Sequence, residues 1–187
     1  MGCPASITLV LEPKAHSHFA VARRLIRPMA IEIRPAGVED VPALVGLMQA
    51  FYAESELLLP AAPAARAFAD LLSAPHAGAV WLAERVVAGG AAAVGHVVLT
   101  VAFSMEYGGA RGFIDDLYVR PEARGCGTGA ALLQAARDGA IARGLRALCV
   151  ETGPADHPAR ALYARAGYAE TGHTFLVQPL ASPVHAV

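Results

Sequence analysis

The chain has 187 residues, of which 55% are hydrophobic and 17% charged, and its formal net charge is −1. This length suits a single soluble α/β domain with a sizeable core, and the near-zero charge gives no general attraction to nucleic acid or anionic lipid, so any recognition must come from local charge. Three widely spaced cysteines, Cys3, Cys126 and Cys149, form neither a metal pattern nor a disulfide framework, which suits a reducing cytosol.

Residues 1–28 have no clear amphipathic period. His16 and His18 are too few for a closed metal site. Met1-Gly2-Cys3-Pro4-Ala5-Ser6 fits the loose myristoylation pattern, which chance often matches. No basic segment precedes residues 7–11, so no secretory signal is read. Met29-Ala30-Ile31-Glu32 reads like a natural start. Residues 1–28 are therefore expected to be a disordered extension or a mis-assigned start, and 29–187 the domain.

Residues 32–35 read as a first strand. Val41, Leu44, Leu47, Met48 and Phe51 then recur at helical spacing over 39–52. A break at 54–63 precedes a short helix at 64–72. Residues 86–105 carry no Asp, Glu, Lys or Arg, which is long enough to raise a membrane span. Gly89-Gly90, Gly95 and His96 interrupt them, and the apolar residues after Gly95 are largely β-branched. A hairpin of strands at 80–87 and 95–103 is the better reading. Gly108-Gly109 turns the chain into a strand at 112–119. A helix over 129–143 ends at Gly144, a buried-looking strand covers 145–151, and a helix over 158–166 stops at Gly167. Residues 174–178 read as a last strand.

The most informative stretch joins the strand at 112–119 to the helix at 129–143 through Arg124-Gly125-Cys126-Gly127-Thr128-Gly129. Glycines let the backbone turn tightly and leave its N–H groups uncovered. At a helix N-terminus such donors, with the helix dipole, suit phosphate oxygens. The chain has no Gly-Lys pair for a Walker loop. The dinucleotide fingerprint would need glycine where Ala130 stands. The pattern that fits is R-x-x-G-x-G, read at Arg124, Gly127 and Gly129.

With the preceding Leu117-Tyr118-Val119, this pattern resembles the acetyl-CoA-binding motif of the GNAT superfamily of N-acetyltransferases. Two flanking segments resemble the same superfamily in its own order. Glu32-Ile33-Arg34-Pro35-Ala36 with Glu39 to Leu44 is similar to its first strand and helix. Ala159-Arg160-Ala161-Leu162-Tyr163 with Ala166-Gly167-Tyr168 is similar to its late helix. The resemblance covers about residues 31–180 and departs from the family pattern at Asp156, where Asn is common. It implies a single α/β domain whose mixed central sheet is flanked by helices and whose central strands splay apart. It also implies acetyl-CoA as cosubstrate, held by Leu117, Tyr118, Val119, Arg124, Gly125, Cys126, Gly127, Thr128, Gly129, Asp156 and Ala159. The Val119 N–H is expected near the thioester carbonyl. No metal is expected.

Acyl transfer to an amine requires a deprotonated amine, a stabilised oxyanion and a protonated leaving thiolate, because an alkylamine with a pKa near ~10 is mostly charged at neutral pH. Asp115 and Asp116 are the candidate bases. Strand alternation is expected to send their side chains to opposite faces, and the resemblance to diamine acetyltransferases favours Asp115; the alternative for one of the two is an aspartate at a strand bulge bonding neighbouring backbone. Tyr163 matches the family's general acid. Tyr52, Glu54 and Glu106 are candidates for the acceptor side, where with the aspartates they would suit a cationic amine. The expected activity is N-acetylation of a primary amine, small molecule or peptide, by direct transfer in a ternary complex. A non-catalytic acyl-CoA-binding module is the alternative. A cytoplasmic location is expected, with no nucleic-acid or membrane partner, and a homodimer is left open.

Overall fold

The computed structural model describes residues 31–87 and 90–181. The expectations for residues 1–28, for Met29 and for Gly89 in the hairpin turn lie outside these. Five strands form one sheet in the order β1 (Ile31–Pro35), β2 (Gly78–Val87), β3 (Gly90–Ser104), β4 (Gly109–Val119) and β5 (Leu148–Val150). The first four are antiparallel neighbours, and β5 joins β4 in parallel. Helices α1 (Val41–Ala53) and α2 (Ala61–Leu72) precede β2. Helix α3 (Thr128–Ala142) connects β4 to β5, and α4 (His157–Arg165) follows β5.

Alternation along the strands divides the interior in two. Val80 and Leu82 of β2 face Leu44, Val45 and Leu47 of α1 and Phe68 of α2. Their neighbours Trp81 and Ala83 face Leu132, Leu133, Ala136 and Ala140 of α3 and Tyr163 of α4. A period of two thus serves two helical layers at once, which explains the long uncharged run through β3. Leu44, Leu47, Leu82, Leu99 and Leu132 are fully buried, each worth about 1.5–3 kcal/mol of burial. Helix α3 lies so close to β2 at Gly139 that a Cβ there would run into the Trp81 ring. The Arg143 guanidinium lies 5.9 Å from the same ring.

The helices and first five strands stand where the sequence pattern puts them, within three residues at each end except that β3 begins five residues earlier, at Gly90, and β5 keeps only Leu148–Val150 of the expected 145–151. Two features differ. In β4, Asp116 pairs with Val98 and Ile114 with Leu99, so Asp115 is a bulge residue with no partner on β3. The bulge lets Ile114, Leu117 and Val119 all pack against the α3 layer, while Tyr118 belongs to the α1 layer. Simple alternation across Asp115 and Asp116 therefore does not hold.

The expected strand at 174–178 is absent: residues 171–179 form no strand, and Phe175, Leu176 and Val177 are exposed. Strand-forming residue types need a paired edge, and this segment's ring contact is Phe175 on Phe113 at 6.4 Å.

β4 and β5 pair only from Gly112 to Ile114 against Leu148 to Val150. Beyond Ile114, β4 runs on to Val119 with no strand paired on that side among the described residues. This is the splay of central strands that the resemblance implies.

Candidate functional site

The glycine-rich turn lies at the open end of β4. A short 3-10 turn at Pro121–Ala123 is followed by Gly125 at φ 75° and Gly127 at φ 86°, both left-handed. An added Cβ at either would meet nothing within 4 Å, so the backbone angle and not crowding calls for glycine there. Thr128 is buried, and its Oγ1 donates to the Ala123 carbonyl at 2.9 Å, clamping the turn. The first main-chain donor of α3 is Ala131, to the Gly127 carbonyl at 3.0 Å. The N–H groups from Gly125 to Ala130 have no main-chain acceptor among the described residues, leaving a row of donors at the positive end of a helix dipole. At Gly129 a Cβ would come within 3.2 Å of Leu162, which lets α3 and α4 meet beside this row. Cys126 is exposed on the turn.

The open side of β4 supplies a second set of polar groups. Arg120 donates its N–H to the Val94 carbonyl at 2.8 Å. In an antiparallel ladder the main-chain groups of Leu117 and Val119 therefore turn away from β3, toward the splay. Across the gap stands α4. Asp156 caps it by accepting the Ala159 N–H at 3.1 Å, so aspartate does here what the commoner asparagine would. Ala159 packs partly buried against the α3 layer.

Tyr163 has its ring buried, and its hydroxyl has no hydrogen-bond partner among the described residues. Burial first, and then Tyr168, Asp156 and Asp116, push its pKa up to about 12. Sequence reasoning gave Tyr168 no role, yet its ring stands edge-on to Tyr163 at 5.5 Å. It closes the motif that carries Tyr163, which was the available signal.

Asp116 is the more enclosed of the two aspartates. Burial, then the neighbouring charge of Asp115, push its pKa up to about 6. Burial also raises Asp115. Both charges act on Tyr52, Asp116 more strongly, and Asp116 also acts on Tyr163. Tyr52, Asp116 and Tyr163 thus share one electrostatic neighbourhood, although they come from α1, β4 and α4. Glu106 is exposed in the β3–β4 turn, roughly 20 Å along β4 from Asp116 by strand rise.

Glu54 and Arg124 meet directly. Arg124 Nη2 donates to Glu54 Oε1 at 2.5 Å, and the Tyr118 hydroxyl donates to the same oxygen at 3.1 Å. Arg124 Nε donates to the Val119 carbonyl at 2.7 Å, and its Cζ lies 5.6 Å from the Tyr118 ring centroid. The arginine is folded back over the end of β4.

The family model described as "Acetyltransferase (GNAT) family" matches residues 44–168. Among solved structures, an integron cassette protein from the mobile metagenome of Cole Harbour Salt Marsh is 49% identical. That match covers 81% of this chain and 92% of the other, at a TM-score of 0.72. A possible acetyltransferase from Clostridium difficile 630 is 18% identical over 81% and 99% of the two chains, with a TM-score of 0.69. The aminoglycoside N-acetyltransferase AAC(6')-Iy, solved with CoA, is 18% identical over 84% and 99%, with a TM-score of 0.69. These last two show likeness of fold alone. A search of the curated proteins found no match.

Proposed function

This chain belongs to the GNAT acetyltransferase family, and from that premise we propose that it moves an acetyl group from acetyl-CoA to a primary amine by direct transfer in a ternary complex. The observation that carries the proposal is the gap beyond Ile114. At its mouth are the spare donors of α3, along its wall the main-chain groups of Leu117 and Val119 that no strand pairs, and near it Asp116 and Tyr163.

These groups fit the cofactor. The N–H row from Gly125 to Ala130 suits a diphosphate, with Arg124 as a nearby cation. The main-chain groups of Leu117 and Val119 suit the amides of an extended arm. When bound, acetyl-CoA supplies an activated acyl group on a thiolate leaving group.

The chain's own residues then divide the work. Asp116 is the better supported base: its pKa of about 6 leaves it ionised at neutral pH yet more basic than an ordinary aspartate. Asp115, more open to solvent, adds a second negative charge that favours an approaching ammonium. The Val119 N–H is the donor for the developing oxyanion. Tyr163, held protonated by its raised pKa, gives its proton to sulfur as the C–S bond breaks. Tyr52 and Glu54, at the end of α1, form the acceptor side. Aminoglycosides are one class to test, since AAC(6')-Iy is named for acting on them.

Thiol release from acetyl-CoA, measured across a polyamine, an aminoglycoside, amino-acid derivatives and a peptide amine, tests the reading. Amine-dependent release is the expected result. CoA binding without release on any amine would favour a non-catalytic module instead.

A further inference from the structure

We propose that Glu54 and Arg124 form a latch across the open end of β4, one that the cofactor must open and whose opening frees the Glu54 carboxylate for the acceptor. The inference rests on the cofactor reading above. Val119 turns its carbonyl toward the splay, where an arm amide would bond, and Arg124 Nε already occupies that carbonyl at 2.7 Å. The same guanidinium is held by Glu54 at 2.5 Å, and the Tyr118 hydroxyl bonds the carboxylate from its other neighbour, at 3.1 Å. One cation thus covers an acceptor needed by the arm while paired with an anion of the amine side.

A diphosphate at the N-terminus of α3 competes with Glu54 for Arg124. The diphosphate carries two negative charges to the carboxylate's one and presents more acceptor oxygens, so the bound cofactor draws the guanidinium away. Two things follow at once: the Val119 carbonyl is uncovered, and Glu54 loses its counterion. The unpaired carboxylate lies at the end of α1, two residues from Tyr52, where an ammonium can replace the lost cation. By linkage, cofactor and amine then favour each other's binding. Glu54 is a positioning residue in this scheme, acting through Arg124.

The test uses CoA as probe, titrated calorimetrically into wild type and Glu54→Gln, with melting temperatures for both. Both partners are about half exposed, at 46% and 42%, and exposed pairs of this kind shift an equilibrium about two- to fivefold. Glu54→Gln should therefore bind CoA about two- to fivefold tighter than wild type. A residue that merely supports the fold would bind no tighter on replacement. The second measurement is the Arg124 Nε–H nuclear resonance of the wild-type protein, identified by its loss in Arg124→Lys, which should shift as CoA saturates. Equal or weaker CoA binding by Glu54→Gln overturns the latch and leaves the cofactor reading standing, as does an Nε–H resonance that saturating CoA leaves unmoved. Failure of CoA to bind wild type overturns both.

Discussion

Tyr163 combines a buried ring with a hydroxyl that has no partner inside the described protein. Replacing it with phenylalanine keeps the packing against Tyr168 and removes only the proton donor. We expect Tyr163→Phe to lose about 10²–10⁴-fold in kcat, the usual range for a general acid, with CoA affinity and melting temperature near wild type. Wild-type turnover by this variant, with chemistry rate-limiting, would make Tyr163 a packing residue. The aspartates predict a pH signature. A base must be deprotonated, so wild-type activity should rise through about pH 6, where burial puts Asp116. Asp116→Asn should lose that limb. Asp115→Asn removes the neighbouring charge that raises Asp116, so its limb should move to lower pH. Rate profiles from pH 5 to 8 for the three proteins check this, and an unmoved limb in Asp116→Asn would pass the base role to another group.

At the scale of elements, the glycines separate two kinds of position. Gly127 precedes α3 at φ 86°, a conformation that costs an L-residue about 1–2 kcal/mol. Gly46 lies inside α1 with nothing within 4 Å of where a Cβ would stand. Gly127→Ala should be destabilised by about that amount and bind CoA more weakly, while Gly46→Ala should gain about 0.5–1 kcal/mol. Denaturant unfolding of the two variants checks both signs. The same contrast shows what was legible in the sequence. The loop was, because a left-handed turn before a helix demands glycine at fixed spacing. So were the helices and first five strands, because their apolar periods match two packed layers. Which of the two aspartates takes the bulge was not: no glycine marks the place, and pairing with β3 puts it at Asp115. The segment 174–178 has strand-forming residues, but composition says nothing about whether an edge is there to receive it. The Glu54–Arg124 pair joins residues far apart in sequence, which no local pattern can announce.

For the whole molecule, two buried groups act in opposite directions on stability toward acid. His96 is fully buried between Phe68 and Tyr118, neither nitrogen has a hydrogen-bond partner among the described residues, and burial lowers its pKa from 6.5 to about 4. As pH falls below 6.5 the unfolded chain takes up a proton that the native protein refuses, so stability is lost until about pH 4, up to about 3 kcal/mol. Asp116 runs the other way. Its native pKa of about 6 exceeds the unfolded 3.8, so the folded state takes up the proton first and gains stability as pH falls between those values. The two contributions nearly cancel from pH 6.5 to 4 in wild type. Asp116→Asn should uncover the histidine and lose about 2 kcal/mol on going from pH 7 to pH 5. Unfolding at both pH values checks it, and an equally flat response from the variant would mean that His96 does not stay neutral. The splay has a further consequence, readable in deuterium. Tyr118 and Arg120 turn their amides toward β3 and keep them there whatever is bound, whereas Leu117 and Val119 turn theirs into the gap. Amide exchange along one strand should therefore alternate between slow and fast from residue to residue in the free protein. A cofactor arm lying along β4 would slow the fast members alone, so a single strand would carry both the signal of occupancy and its internal reference.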